Sequence, residues 1–264
     1  DTADSKKWLV QHKFLPDYFL TISERLTEII PAGKPFSPKR KIIAGGTDLM
    51  VQQPEKIAHE EMSFTQHYET LKKISIDENG IHIGAACTAN DILQNQHIKT
   101  LFPKVRQFFR LISSDPIRNA ATIAGNIMNA SPIGDLSIFF LALDASVSIR
   151  GRKDSQDIAL KDFFISYKKT ALLHDEYIEL ISFPMPRKAF LFNYEKVSKR
   201  LYLDIASVTS AMYIELDEQQ IINCRISAGG VKEIPLYLAK TSDFFAGKPL
   251  TAQTILDANE IMQE

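Results

Sequence analysis

Two short segments hold the residue types from which a ligand site can be built. In Ile42-Ile43-Ala44-Gly45-Gly46-Thr47-Asp48-Leu49 an apolar run meets two glycines, a hydroxyl and a carboxylate. Backbone N–H groups in such a bend have no side chains in front of them, so a phosphate or pyrophosphate can approach, and Thr47 can add a hydroxyl donor. The bend lacks the Gly-Lys-Ser/Thr of a Walker sequence and the third glycine of the dinucleotide fingerprint, and a plain tight turn after a strand explains it as well. The second segment, from Asn119 to Leu136, sets Thr122, Asn126, Asn129, Ser131 and Asp135 among alanines and glycines. Buried, these groups would need many partners, whereas the small neighbours would let a flat ligand lie against the backbone. The alternative is a polar loop in which Asp135 caps the following helix.

Other chemistry is poorly supplied. The two cysteines, Cys87 and Cys224, form no CxxC pattern, which suits core thiols in a reducing compartment and is too few for a four-thiolate iron–sulfur or zinc site. No two of His12, His59, His67, His82, His97 and His174 stand at i, i+4 spacing, so no protein-bound metal is expected. With 31 Lys+Arg against 32 Asp+Glu, the net charge of -1 gives no broad field for nucleic acid or anionic lipid. No apolar run approaches the roughly 20 residues of a membrane span, and Asp1-Thr-Ala-Asp-Ser-Lys-Lys7 is not a signal peptide, so a cytoplasmic location is expected. A start at Asp1 suggests a trimmed chain or one segment of a longer polypeptide.

The elements that position the two segments follow from periodicity. Capping-box spacing at Thr21-Ile-Ser-Glu24 precedes a helix from Ile22 to near Ile30, ended by Pro31, Gly33, Pro35 and Pro38. Lys41 to Ala44 reads as a buried strand, and Ile74–Ile76 with Ile81–Ile83 as a hairpin through a left-handed Asn79-Gly80 turn. After a second capping-box spacing, Thr88 to Asp91, one helix carries Ile92, Leu93 and Ile98, another runs Val105 to Ile112, and both stop before Asp115-Pro116. Then come a buried helix Ile133–Leu143 and strands Val147–Ile149 and Tyr177–Phe183, with a domain boundary at Pro184-Met-Pro186. An antiparallel pair follows, with Met212, Ile214 and Leu216 facing inward on one strand and Ile222, Cys224, Ile226 and Ala228 on the other. Helices near Leu236–Phe245 and Ala252–Met262 complete an α+β order rather than a doubly wound parallel sheet.

Together, Ile42 to Leu49 and Ile117-Arg-Asn-Ala-Ala-Thr-Ile-Ala-Gly-Asn-Ile-Met-Asn-Ala-Ser-Pro-Ile-Gly-Asp-Leu136 closely resemble the FAD-binding domain of the molybdenum hydroxylases, the xanthine dehydrogenase and carbon monoxide dehydrogenase flavoprotein family. Lys196-Val-Ser-Lys-Arg200, Asp204-Ile-Ala-Ser-Val208 and Ser227-Ala-Gly-Gly-Val231 resemble the family's flavoprotein C-terminal domain. The resemblance implies an FAD-binding PCMH-type domain over 14–186, built of two subdomains in the vanillyl-alcohol-oxidase manner. A smaller antiparallel sheet-plus-helices domain would follow over 187–264.

By the same resemblance, Ile42, Ile43, Ala44, Gly45, Gly46, Thr47, Asp48 and Leu49 would wrap the FAD pyrophosphate, and Thr122, Ile123, Ala124, Gly125 and Asn126 would close over the other side. Both bends would then grip the diphosphate by main-chain hydrogens. Asp135 would fix a polar part of the cofactor, Ile178 would lie near the isoalloxazine through its backbone, Lys196 would approach the flavin ring, and Ser131 would add a contact. Ile112 stands where many animal members carry an aromatic residue, and Gly134 replaces a common serine. The family's C-terminal domain usually runs beyond Glu264, and the N-terminal stretch resembles the linker after a fused iron–sulfur domain.

The implied role is electron transfer. Substrate would be oxidised at a molybdenum-pterin centre on a partner chain or domain, electrons would cross [2Fe–2S] clusters also held there, and FAD would pass them to NAD+ or O2. Two alternatives stay open: a self-contained flavin oxidase of the vanillyl-alcohol oxidase fold, and a non-catalytic ligand-binding scaffold.

Overall fold

The computed structural model describes residues 2–28, 36–151, 155–186 and 189–263. Contacts divide the chain into two units, Asp1–Pro35 and Phe36–Glu264. In the first, the helix Thr2–Gln11 has no counterpart among the expected elements, because its large apolar residues are bunched at Trp8, Leu9 and Val10 instead of spaced at helical period. Trp8 stacks on His12, ring centroids 4.1 Å apart. The expected helix from Ile22 is present as Ile22–Glu28, while Ile29, Ile30 and the proposed stop at Pro31, Gly33 and Pro35 lie outside the described residues. Its start is a 3-10 turn, Asp17–Thr21, in which the Thr21 hydroxyl donates back to the Tyr18 carbonyl at 3.4 Å instead of forming the capping box.

In the second unit the strands among the described residues are β1 (Lys41–Ile43), β2 (Met62–Phe64), β3 (Ile74–Ile76), β4 (Ile81–Gly84), β5 (Ser146–Arg150), β6 (Gln156–Ala159), β7 (Phe164–Ser166), β8 (Lys169–Thr170), β9 (Tyr177–Phe183), β10 (Phe190–Val197), β11 (Val208–Asp217), β12 (Gln220–Gly229) and β13 (Leu236–Tyr237). β1 and β2 pair in parallel, and the other pairings are antiparallel. One sheet runs β3-β4-β9-β5-β6 and another β10-β11-β12-β13. Together with the helices this is the mixed α+β architecture expected.

The helix Asp135–Ala142 joins the two sheets. Its Leu136 to Ala142 are all buried, and a helix apolar on every side must be covered on every side. It packs against β11 and β12, and the Ser227 hydroxyl of β12 donates to the Ile138 carbonyl at 2.7 Å. Phe139 and Phe140 share one apolar core with Ile81, Ile83 and Ile181 of the first sheet and with Tyr194, Ala211 and Tyr213 of the second. The core therefore continues across Pro184-Met185-Pro186. The other face of the second sheet, with Ile214, Cys224 and Ile226, packs on Phe245 and Ala258.

Several elements depart from expectation for identifiable reasons. The Thr88 capping box forms, its hydroxyl accepting the Asp91 N–H at 3.1 Å, but the helix after it breaks into Ala89–Gln94 and Gln96–Leu101 because Asn95 caps the second piece through the Ile98 N–H. Asp115-Pro116 starts a helix, Asp115–Ala120, since proline is tolerated in a first turn, where its missing N–H has no partner to lose. From that helix Arg118 reaches back to the Phe109, Ile112 and Ser113 carbonyls, closing the end of Val105–Arg110.

The β3–β4 hairpin is closed by Asp77, whose carboxylate accepts the Asn79 and Gly80 N–H groups; Asn79 is not left-handed, and only Gly80 takes positive φ. In the β11–β12 pair a bulge at Glu215/Leu216 shifts the register, so Leu216 faces Ile221 and the expected inward Ile222 is exposed. The segment Leu236–Phe245 is split between β13 and the helix Ala239–Phe244, while the final helix is Ala252–Gln263. Strand β10 was not marked by its alternation, because Leu191 and Val197 point to solvent.

Candidate FAD-binding cleft

Strand β1 leads straight into the first bend. Gly46 turns the chain with φ of +70°, after which Asp48 begins the helix Leu49–Gln52. Gly45 lies so close to the Ala120 carbonyl that a β-carbon there would overlap it. The carbonyls of Gly46 and Asp48 accept from the new helix, but among the described residues the N–H groups of Gly45, Gly46, Thr47 and Asp48 donate to no backbone carbonyl. Consecutive unspent amides in a bend form a concave anion site.

The second bend is built the opposite way. Thr122 caps the helix Ile123–Met128, its hydroxyl accepting the Gly125 N–H at 3.0 Å, while the Ile123 N–H donates to the Cys87 carbonyl and the Asn126 N–H to the Thr122 carbonyl. The Asn126 side-chain Oδ1 accepts from the backbone N–H and the hydroxyl of Ser137. The expectation that both bends offer main-chain hydrogens is thus corrected: most amides of the second are spent on folding it. What it offers is closeness, since a β-carbon on Gly125 would stand 2.9 Å from the Thr122 hydroxyl and 3.5 Å from the Ala44 β-carbon.

Between the bends lies a cleft of about 850 Å³. Of the expected residues, Ile42, Ala44 to Leu49, Thr122, Ala124, Gly125, Asn126 and Ile178 line it. Ile43, Ile112 and Ile123 are buried outside its lining, and the Ile112 carbonyl is held by Arg118. Ser131, Asp135 and Lys196 stand outside its lining. Lys196 Nζ is 2.9 Å from Asp135 Oδ2, and the Tyr194 hydroxyl donates to Asp135 Oδ1 at 2.7 Å, so these groups engage one another. Burial, with the Asp135 charge second, holds the Tyr194 phenol well above its ordinary pKa.

The cleft also gathers residues that the motifs did not mark. Tyr177 enters beside Ile178 on β9, its phenol pushed up first by burial and then by Glu179. Lys168, at the β7–β8 turn, donates to Asn129. Thr65 follows β2 directly, so the β1–β2 pairing sets it level with Ala44; it is 5% exposed, and its hydroxyl has no hydrogen-bond partner among the described residues. No local spacing signals these residues, because each reaches the cleft through strand pairing.

Four backbone amides without a carbonyl partner, two bends packed so closely that Gly45 and Gly125 have no room for a side chain, and a Thr65 hydroxyl without a partner among the described residues suit an extended phosphate-bearing cofactor. The FAD-binding domain family of the molybdopterin dehydrogenases matches residues 20–186, and the C-terminal domain family of CO dehydrogenase flavoproteins matches residues 193–264. The chain belongs to this FAD-binding family.

Among its relatives, xanthine dehydrogenase of Blastobotrys adeninivorans is 31% identical over 86% of this chain, which spans only 17% of that protein. The nicotinate dehydrogenase FAD-subunit of Eubacterium barkeri is 28% identical over 81% of this chain and 74% of that subunit. In fold the chain is similar to CO dehydrogenase from Oligotropha carboxidovorans, with a TM-score of 0.78 and 22% identity over 84% of this chain and 77% of that one. No described helix is long and apolar enough to cross a membrane.

Proposed function

We propose that this chain is the electron-transfer module of a xanthine dehydrogenase-like molybdenum hydroxylase, with the molybdenum-pterin centre and [2Fe–2S] clusters on partner chains or domains and NAD+ or O2 as acceptor. The observation that carries the reading is the row of N–H groups from Gly45 to Asp48 that donate to no backbone carbonyl among the described residues, in a bend that lines the same cleft as Gly125. Within this reading, 14–186 is an FAD-binding domain of two subdomains and 187–264 the smaller second domain. A cytoplasmic location accords with two buried free thiols.

When bound, FAD supplies the redox chemistry, exchanging electrons between one- and two-electron carriers. The residues of this chain supply position and field. Gly45 to Asp48 would hold the diphosphate by backbone dipoles, with the Thr47 hydroxyl as a further donor, and Ala44, Ala124 and Gly125 would keep the walls low enough for close approach. Ile42, Leu49 and Ile178 would exclude water. Asp135 and Lys196 would act as a coupled pair, so that the charge near the ring is a balanced one, with Ser131 and Ile112 supporting that end.

The test is a visible absorption spectrum of the purified chain before and after anaerobic NADH. Oxidised-flavin bands that bleach on NADH establish the cofactor and the acceptor together. Bands that persist with NADH and bleach only with dithionite point to O2, and a colourless chain that takes up no added FAD sinks the reading.

A further inference from the structure

A diphosphate brings negative charge into the cleft, and the Gly45–Asp48 bend answers with dipoles but no cation. Among the described residues, the lysines and arginines lining the cleft are Lys39, Arg40, Lys41 and Lys168. Arg40 is paired with Glu61 at 3.2 Å, and the first three also border a neighbouring hollow that contains Glu60 and Glu61.

Lys168 is placed differently. Its ammonium donates to the Asn129 carbonyl at 2.9 Å and to Asn129 Oδ1 at 2.7 Å. Asn129 follows Gly125 by about one helical turn, its N–H donating to the Gly125 carbonyl at 3.0 Å, so both share one helix face about 6 Å apart. Gly125 is the residue that stands over Ala44 at the first bend. An ammonium has three N–H donors; Asn129 takes two, and the third remains for the cleft. The backbone at Lys168 is left-handed, φ +57°, at a tight hairpin tip where glycine or asparagine is the ordinary occupant.

We propose that Lys168 is the cation that neutralises the cofactor diphosphate and that Asn129 is its positioning residue. The proposal rests on the FAD reading above. A side-chain amide holds the lysine without cancelling its charge, whereas a carboxylate would.

The experiment measures FAD affinity of the full chain by flavin fluorescence at several salt concentrations, with far-UV circular dichroism confirming the fold. Lys168→Met is expected to weaken binding at low salt by about tenfold, and the deficit to shrink as salt screens the charge. Lys168→Arg keeps most of the affinity, and Asn129→Ala loses part of it. The absorption bands of bound FAD stay at the wild-type positions, because the lysine acts away from the ring. Unchanged affinity in Lys168→Met, a deficit independent of salt, or shifted flavin bands each overturn the proposal while leaving the FAD reading intact. A wild-type chain that binds no FAD removes the FAD reading itself, and the proposal with it.

Discussion

Lys196 and Asp135, 61 residues apart in sequence, form an ion pair at 2.9 Å in which the lysine side chain is 4% exposed and the aspartate 14%. Asp135 also opens the helix Asp135–Ala142, where negative charge meets the positive end of the backbone dipole. Breaking a buried pair from one side leaves an uncompensated charge, so Lys196→Met is expected to lower unfolding stability by about 3–5 kcal/mol. The double variant Lys196→Met/Asp135→Leu should recover most of that loss. Urea unfolding of the wild type, Lys196→Met, Asp135→Leu and the double variant checks both statements, and a fully additive double variant would refute the coupling.

Gly45 is expected to tolerate no side chain. Gly45→Ala drives a methyl into the Ala120 carbonyl, and overpacking of this kind costs about 1–3 kcal/mol. Gly45→Val should in addition abolish FAD retention. Gly125→Val meets Thr122 and Ala44 and should also lose the flavin. Flavin content per protein, measured after gel filtration, tests each variant; stoichiometric flavin in Gly45→Val would contradict the cradle.

Thr65 offers a test with opposite signs in the two states. A buried hydroxyl without a partner costs about 1–3 kcal/mol, so Thr65→Val should stabilise the FAD-free protein. If the hydroxyl meets the cofactor, the same variant gains less thermal stability from added FAD than the wild type does. Melting curves with and without FAD separate the two effects.

The β3–β4 hairpin should weaken in acid. The hydrogen bond from His82, at 3.0 Å, and those from the Asn79 and Gly80 backbone hold the Asp77 carboxyl below its usual range. A folded-state pKa below the unfolded one means that the stabilisation is present above the usual aspartate range and is lost as pH falls through the lowered value. The difference in denaturation midpoint between wild type and Asp77→Ala is therefore expected to close in acid. A gap that stays constant to the acid limit would rule out this linkage.

Both thiols should be inert in the native protein. Burial pushes Cys87 and Cys224 up to about 12, leaving almost no thiolate at pH 8. Iodoacetamide should label neither until denaturant is added. Rapid labelling of the folded chain would contradict the burial.

Much of this was legible from neighbouring residues. Strand β9 matches its expected span from Tyr177 to Phe183, because a short apolar run ending in prolines leaves little freedom. The Thr88–Asp91 box closes as its spacing requires, and both glycine bends stand on the cleft. Departures fell where a local pattern has two physical readings. The expected helices do stop before Asp115-Pro116, but the same dipeptide also starts a helix that was not expected, and one bulge at Glu215/Leu216 exchanged Ile222 for Ile221 in the core.

By itself the sequence determined the α+β order, the two side-chain-poor bends and the family. Those properties lie in residue types a few positions apart, where backbone preference and apolar period act directly. Only the tertiary structure decided which bend keeps its amides free, that Lys196 faces Asp135, and that Lys168 is held by Asn129. A polar group takes whichever partner packing brings within about 3 Å, and packing of distant segments is not written in the local spacing of either.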